Sequence, residues 1–207
     1  RGRLAIDTET TSLEVSRAQL VGVCLAVDAA EGFYVPLAHV DDFGQRIAGQ
    51  LDRDAVIGRL RPVLADPSIL KIGHNIKYDA AVLGSYDVVV APVEDTMLIS
   101  YVLDGALHGH GMDELAGRHL GHQTIPFEAV CGKGAAQITF DKAPIDKAAD
   151  YAAEDAVVTL RLWQVLKPRL IAERMVAVYE TLDRPLVPLV ARMERRGILV
   201  DARRLRE

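Results

Sequence analysis

The chain has 207 residues, half of them hydrophobic, and a formal net charge of −5. That length and apolar content suit one domain with a substantial core, and no run of about 18 uncharged apolar residues offers a membrane span. The acidic balance argues against a long basic track for nucleic-acid phosphates. Cys24 and Cys131 stand apart without metal-ligand spacing, so both are read as reduced thiols.

Leu4, Ala5 and Ile6 begin a buried strand that is expected to break at Asp7, where the chain turns to Thr and Ser. Alternation along a strand places Asp7 and Glu9 on one face. Burying either carboxylate alone is expensive, so the pair asks for a cation between them. The same residues also suit a turn in which Asp7 caps and Glu9 is solvated. Cys24 falls in the apolar run LVGVCLAV and is expected in the core. Ala55, Val56, Ile57, Leu60 and Leu64 predict a helix ended by Asp66-Pro67. Ile69 to Ile72 read as a short buried strand, and Gly73, His74 and Asn75 as the turn into a helix. Asp79 sits in the first turns of that helix, near the amide-rich end that favours a carboxylate.

The stretch His108-Gly109-His110-Gly111 reads as a flexible loop in preference to a zinc site. From Pro144 to about Leu166 composition and period predict a helix. At about 100° per residue, Ile145, Ala149, Ala152, Ala156, Leu160 and Trp163 form one apolar stripe, with Asp150, Glu154, Arg161 and Gln164 opposite. Asp155 falls instead with Tyr151, Val158 and Leu162, an acid where the pattern asks for a hydrophobe. Glu154 is then the solvated acid and Asp155 the candidate ligand. A Tyr151 hydroxyl that merely satisfies Asp155 in a partly buried site is the alternative. No glycine-rich phosphate loop followed by Lys and Ser or Thr is present, which gives no case for nucleoside triphosphate hydrolysis.

DTET from Asp7, GHNIKYD from Gly73 and YAAEDA from Tyr151, in that order, resemble the three exonuclease motifs of the proofreading domain of bacterial family A DNA polymerases, in the subtype with Tyr in the third motif. The segment from His110 to Phe140 resembles the family's link between its second and third motifs. The resemblance implies an α/β fold, ribonuclease H-like, with a mixed central sheet flanked by helices. It implies two divalent metal ions on Asp7, Glu9, Asp79 and Asp155, with Asp7 between both ions and Tyr151 orienting the attacking water. Leu13 would wedge against the terminal base, Asn75 would contact the substrate and Phe127 would stack on a nucleotide. Thr8 and His74 join the substrate-binding set. A basic residue expected before Met112 is missing, which weakens the expected grip on the strand.

Oxygen ligands of this kind suit Mg2+, with Mn2+ able to substitute and Zn2+ possible at one position. The expected activity is metal-dependent removal of nucleoside 5′-monophosphates from the 3′ end of single-stranded or frayed DNA, in bacterial replication and repair in the cytoplasm. Tyr151, with a phenol pKa of about 10, positions water and does not act as a base. The resemblance divides the chain into an exonuclease domain, 1–183, and the start of a thumb-side polymerase segment, 184–207, with a polymerase domain in the same full-length chain as partner. Leu186, Val187, Val190 and Met193 recur at helical spacing there, in a helix expected to be loosely held or packed on the exonuclease domain or a neighbouring chain. The fragment alone is expected to be monomeric. Two other readings remain: a non-catalytic scaffold of a polymerase, and a ribonuclease D-like exoribonuclease.

Overall fold

A computed structural model describes residues 2–206. Three strands open the chain, β1 (Gly2–Thr10), β2 (Leu20–Ala26) and β3 (Gly32–Pro36), followed by α1 (Arg53–Ala65), β4 (Ile69–Gly73), α2 (Ile76–Gly84) and β5 (Val93–Asp95). The rest is helical: α3 (Thr96–Asp104), α4 (Met112–Leu115), α5 (Phe127–Cys131), α6 (Ile145–Ala172), α7 (Val176–Val178) and α8 (Arg184–Arg196). The five strands form one mixed sheet in the order β3-β2-β1-β4-β5. β1 pairs antiparallel with β2 and parallel with β4, so the strand that carries the first acids is central.

Parity along β1 sorts the core into two layers. Leu4 and Ile6 pack with Ile57 and Leu64 of α1 and Ile76, Val82 and Leu83 of α2. Ala5 instead joins Cys24, Ile72 and the small residues Ala152 and Ala156 of α6. These alanines let the helix lie close on the sheet, and Gly32 extends the approach: a Cβ there would collide with the carbonyl of Ala153. α1 is capped by Asp52, which accepts from the Ala55 amide at 2.8 Å. It ends where Pro67 holds Asp66 in an extended conformation.

One expectation needs correction. β1 does not break at Asp7 but runs on to Thr10, because β2 pairs Asp7 with Cys24 and Glu9 with Gly22 before the register slips. At the other end, of the arrangements expected for α8 the structure has the one packed on the exonuclease domain: it lies on α2 through Val187 and Ala191, while Leu186 and Met193 of the expected stripe stay exposed. The stripe was drawn on side-chain type alone, and the face α2 receives is the narrower one four residues apart. Lys77 of α2 pairs with Glu194, and Arg184 with Glu94 and Glu180. Tyr179, fully buried, accepts the Asp95 amide at 3.0 Å and ties this end of the chain to β5.

Val187→Ala should therefore lower stability by about 1–2 kcal/mol, read as a lower denaturant midpoint, while Met193→Ala should leave the midpoint unchanged.

Candidate active site

Because Asp7 and Glu9 lie on the α6 face of β1, the sheet directs both at the helix that carries Asp155. Thr8, between them, points to the opposite face and reaches Asp79 of α2. Its amide and hydroxyl both donate to Asp79 Oδ1, at 2.8 Å and 2.6 Å. Three chain segments thus bring Asp7, Glu9, Asp79 and Asp155 to one place. Glu9, Asp79 and Asp155 are buried and Asp7 half-buried.

So many acids in one desolvated spot cannot all remain ordinary. Burial pushes Asp7 up to about 6, against a weaker pull from the Thr8 amide. Burial, then the charges of Asp7, Asp155 and Asp79, hold Glu9 well above the usual carboxylate range. Asp79 rises by burial and by Asp7, countered by its bonds from Thr8. Asp155 rises by burial and then by Asp7. Tyr151, one turn before Asp155, is driven above its ordinary value by burial and by that carboxylate, so its hydroxyl stays protonated. Glu9 Oε1 is buried with no hydrogen-bond partner. An orphaned carboxylate oxygen among three further acids is a donor set that fits hard divalent cations.

Asp7, Glu9 and Asp155 open on a cleft of about 770 Å³ lined also by Thr8, Leu13, His74, Asn75, Phe127 and Tyr151 among others. Leu13 stands at its rim, 93% exposed, and Phe127 is 38% exposed. Phe127 also stacks on Phe140, with centroids 6.3 Å apart, and meets Tyr151 edge-on at 6.2 Å. Asn75 holds a left-handed conformation at the start of α2, φ 59°, and its amide donates to Asp95. His74 Nδ1 lies 2.8 Å from Thr96 Oγ1. Thr96 also lies 3.2 Å from Gly73 O, to which it donates, and His74 Nε2 is buried without a hydrogen-bond partner. Burial lowers that imidazole to about 4, so it is neutral. Among the described residues, no Lys or Arg lines the cleft.

Glu154 departs from the expectation of a solvated acid. It accepts from the Ile125 amide at 2.6 Å and meets His122 Nε2 at 2.8 Å, fastening the loop that leads to Phe127. A helical wheel contains no information about a loop thirty residues away. Asp95 was also missed: it caps α3 through the Met97 amide and holds the Asn75 and Ile76 amides at 3.0 Å. Its one local signal is an Asp immediately before a helical run. Tyr78, Met112, Gln137 and Phe140 complete the cleft without a signature of their own.

The sequence family described as 3′-5′ exonuclease matches residues 2–171. The chain belongs to this exonuclease family. DNA polymerase I of Rhizobium leguminosarum is 49% identical over 97% of the chain and 21% of its own length. DNA polymerase I of Pseudomonas aeruginosa is 51% identical over 96% of the chain and 22% of its own length. The chain therefore spans about a fifth of these relatives and corresponds to their 3′-5′ exonuclease domain. Among solved structures, Brucella melitensis NrnC with bound Mg2+ superposes with a TM-score of 0.71 at 25% identity, over 95% of this chain and 86% of that one. The POL domain of Pol1 from M. smegmatis, in complex with DNA primer-template and dNTP, gives 0.73 at 19% identity, over 96% and 29%. The ribonuclease H-like exonuclease fold is thereby confirmed, and divalent-metal dependence accompanies the family.

Asp7 has a folded pKa above its unfolded value, so its burial penalty is absent below about pH 4, grows as pH rises through the window between 3.8 and about 6, and is full above it. In metal-free protein, Asp7→Asn should raise stability by up to about 3 kcal/mol above neutral pH and by little in acid. A thermal melt at both extremes reads this, and added magnesium should stabilise only the unsubstituted chain.

Proposed function

We propose that this exonuclease domain removes nucleoside 5′-monophosphates from the 3′ end of single-stranded or frayed DNA, as the proofreading part of a DNA polymerase I. The observation that carries the reading is the convergence of Asp7, Glu9 and Asp155 on one cleft, with Asp79 held beside them by Thr8 and Glu9 Oε1 unsatisfied. All four acids and Tyr151 are in place, which disfavours a scaffold without catalysis.

In this reading the four carboxylates hold two divalent ions, magnesium by preference, with manganese able to substitute and zinc acceptable at one position. The chemistry such a pair supplies when bound is activation of the attacking water and stabilisation of charge on the leaving oxygen. Tyr151 keeps its proton and orients that water through its hydroxyl. Phe127 offers an exposed ring face for a base, and Leu13 a bare aliphatic wedge at the rim. The neutral His74 presents an unpartnered Nε2, and Asn75 lies beside it with a side chain free of capping duty. Thr8 acts on the site by fixing Asp79.

The domain division at 183/184 and a polymerase domain as intramolecular partner belong to the same proposal; the partner is supported by the share of each relative that lies outside the match. Exposed Leu186, Leu189 and Met193 on α8 are available to such a partner. The fragment is proposed to be monomeric, and the whole protein to work on cytoplasmic DNA.

A 5′-labelled single-stranded oligonucleotide should shorten from its 3′ end with magnesium or manganese and stay intact with chelator. Asp155→Ala should abolish the ladder, and Tyr151→Phe should slow it on the order of 10²-fold. An intact substrate at high enzyme and manganese would sink the catalytic reading.

A further inference from the structure

The loop between α3 and α4 is built with its apolar side chain outward and its imidazoles inward. Leu107 is 83% exposed, whereas the side chain of His108 is 6% exposed. His108 turns back on Asp104, the last residue of α3, with Nε2 3.4 Å from Oδ2. From the other side comes His119, carried on the π-helical turn Ala116–Leu120 that follows α4. One donor atom from each of Asp104, His108 and His119 lies within 4.8 Å of the others.

Hydrogen bonding leaves these atoms short of a cation. His108 Nδ1 sits 2.6 Å from Gly109 O, a contact that requires an N–H, so the neutral ring carries its lone pair on Nε2. That lone pair faces a carboxylate oxygen. His119 Nε2 is buried with no hydrogen-bond partner at all. Arg169 grips Asp104 with two bonds, at 3.0 Å and 2.8 Å. That fork takes one lone pair on each oxygen and fixes the carboxylate's orientation, leaving the second lone pair of each for another partner. His110 is not part of the set, because Ser100 Oγ and Gly105 O occupy its two nitrogens at 2.8 Å and 2.6 Å.

We propose that Asp104, His108 and His119 form a second metal site, separate from the four-carboxylate cleft, that takes one divalent transition-metal ion of the zinc type with water completing a tetrahedron. Two imidazoles and a carboxylate are zinc donors, whereas magnesium keeps to oxygen. Tetrahedral ligands around zinc stand roughly 3.4 Å apart, the separation that Asp104 and His108 already have, so it is His119 that closes on the pair. The ion links the end of α3, the glycine-rich loop and the π turn, and through Arg169 it links all three to α6.

The test is zinc binding to the purified Asp7→Asn chain in excess magnesium, so that the substitution and the magnesium together keep zinc out of the carboxylate cleft. One zinc per chain that magnesium does not displace is expected, with stoichiometry falling to none in His108→Gln and in His119→Gln. Zinc retained in both variants, or displaced by magnesium, overturns the site. Should either variant fail to fold, nitrogen NMR of the unsubstituted chain decides: zinc should shift Nε2 of His108 and His119 and leave His110 in place. Unmoved Nε2 resonances mean that Asp104 and His108 are joined by a proton alone.

Discussion

Mutual repulsion among buried acids is the constraint around which this fold is arranged. Each of the four carboxylates is held above its ordinary pKa by burial, and for Glu9, Asp79 and Asp155 the next cause is the negative charge of Asp7. Left to themselves such groups would separate or protonate, so the frame must resist both. It does so with a central strand bonded on both edges and a 28-residue helix seated on it by alanines. Within the set the acids are not equivalent. Asp79 has two donors from Thr8 and is anchored, whereas Glu9 has an oxygen with none and is the member whose charge most needs an ion.

A second polar frame sets the approach to the acids. Asp95 gathers amides from the start of α2 and the start of α3, fixing the turn that presents His74 and Asn75. Glu154, the neighbour of Asp155 on α6, fastens the loop that presents Phe127. These two acids are held for structural reasons, and Glu154 stands one residue from an acid that faces inward for a chemical one. The adjacency explains why a carboxylate's depth alone does not identify its role.

How much was legible in the sequence follows from the range of each interaction. Asp155 declared itself because helical period is local: an acid on an apolar stripe stands out within a few residues. The start of β1, the apolar runs of β2 and β4, α1 and the turn before α2 were readable for the same reason, whereas β3 and β5 drew no reading. Where β1 ends was not, since Thr and Ser after Asp7 carry turn chemistry, and only pairing with β2 overrides it. Glu154 and Asp95 were opaque because their partners lie in other segments. The role of α8 was half legible: its apolar residues were visible, but which of them α2 would cover depends on crossing geometry. The histidines of the loop looked scattered because His119 reaches His108 only through the π turn.

The charge balance of the cleft bears on selectivity for a frayed end. With no Lys or Arg among its described lining residues and a net charge of −5, the protein repels a phosphate backbone until divalent ions occupy the acids. Under the proposed reading, binding and hydrolysis then depend on the same ions, and little further affinity is available. What remains is stacking, worth about 1–3 kcal/mol per base at a ring such as Phe127. Unstacking and unpairing a base costs a few kcal/mol, and least for one that is mismatched or already single-stranded. A cleft with a stronger basic lining would meet that cost for any terminus. One that grips weakly engages the ends that have already come apart, so the missing cations sharpen discrimination even as they lower affinity.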